Sequence, residues 1–109
     1  MNEEELIPAL DAVYQMDQAR LAKLHDQVSE LQKLINGLEA PIPQKEGVLT
    51  RIEFAQNLNR HNEWRAQEVI RLKRMIYDLA PEIDEAKQML AVSFGRLEAL
   101  RAIITEMKN

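Results

Sequence analysis

Residues 69–107 read VIRLKRMIYDLAPEIDEAKQMLAVSFGRLEALRAIITEM. Counted in sevens, one set of positions holds Val69, Ile76, Ile83, Leu90, Leu97 and Ile104. The set three residues on holds Leu72, Leu79, Ala86, Ser93, Leu100 and Met107. Only Ser93 is polar, and it can hydrogen-bond within its own helix. An apolar repeat of 3.5 residues held this long keeps one seam facing a partner helix, which is the pattern of a left-handed coiled coil. A solitary globular helix would let its stripe drift.

The same count works upstream. Ile7, Tyr14, Leu21, Val28 and Ile35 form one column, and Leu10, Asp17, Leu24, Leu31 and Leu38 the other. Only Asp17 interrupts them. It reads either as a register-setting polar contact or as a frayed seam position paired with Arg20. Between the two repeats lies GLEAPIPQKEG, residues 37–47, with two Gly and two Pro. Proline lacks the N–H and fixes φ, so this segment cannot continue a helix. Asn36-Gly37 reads as a C-terminal stop and Thr50-x-x-Glu53 as a capping box. Asn2 caps the first helix, with Glu3, Glu4 and Glu5 favoured by its dipole.

The expected fold class is therefore all-α, a single antiparallel two-helix coiled-coil hairpin over 1–109. Helix one covers about 3–36, the connector 37–49, and a longer helix two about 50–108. Pro81 removes the hydrogen bond to the Tyr77 carbonyl and should kink helix two. A break at Asp78, giving three helices, is the competing reading, but no loop residues serve the reversal.

A tight return at the connector sets Leu24 near Asn62 and Leu31 near Ala55. Helix one, roughly 50 Å long, then runs out near residue 84 of a helix of roughly 90 Å. Residues 85–108 would overhang with Leu90, Leu97, Leu100 and Ile104 uncovered and Met89, Phe94 and Ile103 beside them. Such a stripe calls for a partner chain or a second copy. Gly95 reads either as a point of close helix approach or as a tolerated outer-face residue.

A second candidate surface is NLNRHNEWR, residues 57–65. The register puts Asn62 and Arg65 on the seam, which must weaken here. Trp64, the only tryptophan, falls on the outer side, with Arg60 and Glu68 one turn away. A tryptophan ringed by arginine is the composition of an interface hot spot. The alternative is a stutter that tucks Trp64 against helix one. The acid-first pairs Asp17/Arg20, Glu30/Lys33, Glu68/Arg71, Asp84/Lys87 and Glu98/Arg101 read as solvated outer faces.

Composition narrows the function. The chain has no cysteine and a net charge of −4. Thiol chemistry and Zn-thiolate sites are excluded, and duplex nucleic acid is a poor electrostatic match. His25 and His61 lie on different helices, with no ligand cluster or phosphate loop around either. The reading is non-enzymatic, with no cofactor and no metal. No apolar run can span a bilayer, and the acidic MNEEEL start is not a signal peptide, so a cytoplasmic protein is expected.

The second repeat resembles the flagellar and injectisome type III export stalk proteins, the FliJ/YscO family. The resemblance covers roughly residues 48–108 and rests on Trp64, on the seam through VIRLKRMIYDL, and on Ala91 to Leu100 with Phe94 and Leu97. Helix one is short for that family, and the chain is net acidic. The resemblance implies a coiled-coil stalk in the pore of an export ATPase ring, with further contacts to the export gate and export chaperones. Its gate contacts map loosely to Phe54, Leu58 and His61. The partner-binding residues expected from both surfaces are Arg60, Trp64, Arg65, Leu90, Phe94, Leu97, Leu100 and Ile104. A structural subunit that self-associates through its C-terminal helix is the alternative.

Overall fold

The computed structural model describes residues 3–41 and 51–108, apart from the side chains of Arg51 and Phe54. Two helices account for them: α1, Glu3–Glu39, and α2, Arg51–Lys108. The fold is the all-α antiparallel coiled coil that the seams require. The proposed caps at Asn2 and Thr50 and most of the connector lie outside the described residues.

The described chain divides into two compact units, one of residues up to 27 with 79 onward, the other of 28–78. In the first unit, Glu4 meets Lys108 at 3.1 Å, the Tyr14 and Phe94 rings lie 5.6 Å apart, and Arg20 meets Glu85 at 3.8 Å. Numbers rise on α1 as they fall on α2, so the helices are antiparallel. This register sets Ile7 level with Leu100, Leu10 with Leu97, Tyr14 with Ser93, Asp17 with Leu90 and Leu21 with Ala86. The seam is dry where small faces large. Ala86 is 1% exposed and Leu97 2%. Ser93 is buried too, and its hydroxyl donates to the Leu90 carbonyl at 3.1 Å, so it adds no unpaired polar atom.

In the second unit, Glu39 pairs with Lys73 at 3.8 Å. Leu38 shares a groove with Val69. One turn inward, Ile35 (1% exposed) and Leu72 are buried. Leu31 then falls level with Ile76.

These pairings overturn the tight return. Leu31 stands level with Ile76 rather than Ala55, a slide of twenty-one residues, or three heptads. Three heptads preserve the seam phase on both helices, so the apolar pattern is unchanged by the slide. What changes is the chemistry of the layers. The tight return would place Leu21 against Arg65 and Leu24 against Asn62, and would leave residues 86–104 bare. The observed register covers those residues with α1 and leaves the polar stretch of α2 beyond the end of α1. Burial at about 25 cal/mol per Å² of apolar area decides between them. Eleven residues separate the helices. Their reach of roughly 36 Å is enough to allow the roughly 33 Å rise of α2 between Arg51 and Lys73.

Three smaller expectations also change. α2 runs unbroken through Pro81, so the break at Asp78 does not occur; Pro81 is exposed, where a lost hydrogen bond is cheapest. Gly37 does not stop α1, which continues to Glu39. Arg20 turns to α2 rather than to Asp17: its guanidinium reaches Glu85 and, at 3.1 Å, the Met89 sulfur. Asp17 is half-buried on the seam. The outer pairs Glu30/Lys33, Glu68/Arg71 and Glu98/Arg101 form as expected, at 3.5, 2.9 and 3.1 Å.

Candidate functional site

Because α1 ends beside Lys73 and Val69, no described helix stands opposite the first turns of α2. Arg51 to about His61 extend past the end of α1 within the second unit. They stay helical as a continuation of α2, which avoids the cost of nucleating a separate helix. Ile52 is 72% exposed, and of the described side chains in 52–64 only Leu58 is half-buried.

Trp64 sits where this extension meets the paired coil. Its side chain is 51% exposed, and it stacks obliquely on His61, one turn earlier, with ring centroids 5.7 Å apart. The stutter that would tuck Trp64 against α1 is absent. Arg60 is exposed on the same stretch. Arg65 is half-buried and lines a shallow groove of about 350 Å³ with Leu38, Glu39, Asn62, Ala66, Val69 and Ile70. The groove is the step where α1 stops, so its walls are the last apolar layer of the seam and its mouth is polar.

Glu68 does not balance these cations. Arg71 grips it with two hydrogen bonds, Nη2 to Oε2 at 2.9 Å and Nε to Oε1 at 3.2 Å. Those bonds, together with the guanidinium charge, hold the Glu68 carboxyl below the usual carboxylate range. The same carboxylate holds the Arg71 pKa above its ordinary value. A bidentate pair of this kind is satisfied internally and leaves Arg60 and Arg65 as the cations near Trp64.

The C-terminal candidates are placed differently. Leu97, Leu100 and Ile104 are buried against α1, and Leu90 is half-buried. Phe94 packs against Tyr14 with the ring planes tilted by 44° and about half its surface left out. The uncovered C-terminal stripe expected from helix lengths is therefore intrachain core, because α1 is seated three heptads further along α2. Leu58 and His61, which the family resemblance singled out, lie on the extension; the side chain of Phe54 lies outside the description.

The signal in the sequence that sets the register is the pair Asn62 and Arg65, already legible as a weak point of the seam. Two polar residues in consecutive seam positions mark where pairing stops, and α1 could have been aligned on the clean stretch beyond them. Among the described residues no group of three His, Asp or Glu side chains converges as a metal site would require. No described helix is long and apolar enough to cross a membrane. Compared with family models, with curated proteins and with solved structures, the chain matches none.

Proposed function

We propose that this chain is a non-enzymatic coiled-coil interaction protein that engages a protein partner through the start of α2, where that helix extends past the end of α1. The observation that carries this is the half-exposed Trp64, stacked on His61 and bordered by Arg60 and Arg65, on a helix that has outrun its intrachain partner. Aromatic and arginine side chains dominate interface energetics because each buries a large area while keeping a polar handle. The groove at the end of α1 offers an apolar step for a partner residue beside them.

The partner proposed is the ring of a flagellar or injectisome export ATPase, with the coil as its stalk or escort in the cytoplasm. This rests on the resemblance around Trp64 and the α2 seam. It accords with a helix end on which Ile52, Arg60 and Trp64 are exposed, as a ring pore demands. Contacts to an export gate and export chaperones belong to the same proposal.

The test is calorimetric titration of the purified chain into the export ATPase encoded by the same genome. Binding should be measurable, and Trp64→Ala should weaken it at least tenfold, while the melting temperature of the free chain moves little. Absence of binding defeats the stalk assignment. A large loss of stability in Trp64→Ala with binding unchanged defeats the choice of surface.

A further inference from the structure

We infer that the first unit pairs with a second copy of itself, side by side, to make a four-helix bundle. The starting point is a difference between the two flanks of its seam. Arg20 and Met89 touch, which puts their two heptad columns on the same flank. Within the first unit those columns hold Leu6, Val13, Arg20 and, at the far end, Gln27 on α1, and Glu82 at the same end, then Met89, Arg96 and Ile103 on α2. Leu6, Val13, Met89 and Ile103 all leave more than a third of their surface exposed. Further out on this flank, Met16 and Val92 are exposed as well.

The opposite flank is polar. Its columns hold Asp11, Gln18 and His25 against Lys87 and Arg101, and its one aromatic, Phe94, is already laid on Tyr14. A two-stranded coil needs apolar residues only at the two seam columns. A third apolar column on one side is the pattern of a bundle helix, which packs against two neighbours.

Charge selects the occupant. Along this face the apolar levels give way, one turn past Arg20, to Lys23 on α1 and Glu85 on α2, which stand level in the antiparallel register. Let a second copy face the first about a twofold axis parallel to the helices. Each α1 then lies against the partner's α2 at the same level, with Leu6 on Ile103, Met16 on Val92, and Lys23 on Glu85 of the other copy. The twofold makes every such contact twice. Flipping the second copy end to end instead brings Arg96 onto Arg96 and Glu85 near Glu106. Arg20, toward the Lys23 end of the face, is held by Glu85 of its own chain at 3.8 Å, so that carboxylate would be shared with Lys23 of the other copy. Arg96 is the cation in the middle, and its aliphatic stem can lie along the apolar surface with the guanidinium at the rim. The face is two helices wide and some twenty residues long, about 20 Å by 30 Å, on the order of 600 Å² before side-chain relief. That approaches the roughly 800 Å² per partner of a standard stable interface.

The inference does not depend on the partner surface at Trp64, which belongs to the other unit. Sedimentation equilibrium of the full chain tests it. The wild type should be a dimer at micromolar concentration. Met16→Glu with Ile103→Glu, both on exposed positions, should give a monomer with unchanged helical circular dichroism. Lys23→Glu should weaken the dimer roughly three- to tenfold. A wild type that stays monomeric at 100-fold higher concentration overturns the second copy as occupant, whatever else binds there. A dimer that survives the double glutamate variant overturns this face. The arrangement has its own readout. The chain has no cysteine, so a spin label on Gln27→Cys reports one distance across the dimer. Level pairing predicts about 20 Å, from helix spacing of 8–10 Å and the label arms. A distance of about 40 Å or more is the end-to-end flip and overturns the level pairing.

Discussion

Two stretches of one helix, residues 69–104 and 51–65 of α2, share a heptad phase and differ in everything that follows from it. The first has an apolar residue at nearly every seam position, and α1 lies along it. The second has Asn62 and Arg65 there, and of α1 only the last turn, at Leu38 and Glu39, comes near it. The connector joins α1 to the second stretch and the seam carries it to the first. Where proximity along the chain and apolar matching disagree, matching wins, because enclosing about twenty more residues adds only a slowly growing closure cost while each mismatched layer strands a leucine against a polar side chain.

The sharpest way to break this comparison is to make the first stretch resemble the second. Leu97→Asp with Ile104→Asp puts two charges into a seam where Leu97 is 2% exposed. Each buried change belongs to the several-kcal/mol class, so the helical circular dichroism of the first unit should collapse at room temperature. A folded double variant would mean that α1 does not cover residues 90–104.

Next comes a pair of Ala→Leu substitutions, each at a seam position, one in either stretch. Ala86→Leu overfills a layer in which Ala86, 1% exposed, stands level with Leu21, and should cost about 1–3 kcal/mol in thermal or urea unfolding. Ala55→Leu, on the exposed extension, should change stability by no more than about 0.5 kcal/mol. Equal effects would erase the distinction between the stretches.

Smaller still, and opposite in sign, is Gly95→Ala. A Cβ built there meets nothing within 4 Å, and the residue is helical. The variant should stabilise the coil by about 0.5–1 kcal/mol. Destabilisation would mean that another helix approaches Gly95 closely.

The smallest effect is acid-dependent. Folding lowers the Glu68 pKa through Arg71, so its contribution is present above the unfolded-state pKa and is lost as pH falls through the folded-state one. Glu68→Gln should therefore flatten slightly the decline of melting temperature over the acid range in which carboxylates protonate, and salt should shrink the difference. An unchanged acid profile would show that the bidentate pair forms only transiently.

The phase of both helices, the antiparallel fold and the near-complete list of seam residues were legible in the sequence, because a 3.5-residue repeat records which side of a helix is buried. The sliding position was not. The repeat looks the same after any whole number of heptads, so Leu31 matches Ala55 and Ile76 equally well by phase. Only the content of the layers separates them, chiefly Asn62, Arg65 and Ala86. The candidate surfaces followed the same division. Trp64 and Arg60 were correctly seen as off the seam, but whether they met α1 depended on the slide. Leu97, Leu100 and Ile104 were correctly seen as apolar and then assigned to the wrong cover. Spin labels on Leu34→Cys and Met75→Cys, both exposed, read the slide directly. They should lie within about 20 Å, against an axial separation of roughly 30 Å for the tight return.

The displaced register also has a consequence for how the chain folds. The first seam layer that can close, Leu38 on Val69, already encloses some thirty residues, whereas the tight return would close a loop of about a dozen. The difference in closure entropy is about 0.8 kcal/mol, in favour of the wrong hairpin. The misaligned pair is therefore the quicker one to nucleate and the poorer one to keep, and escape from it requires unzipping, since a slide of three heptads cannot be made while the leucines interdigitate. Refolding from denaturant should thus carry a slow phase of register correction, one that Asn62→Leu with Arg65→Leu would lengthen by improving the layers of the trap.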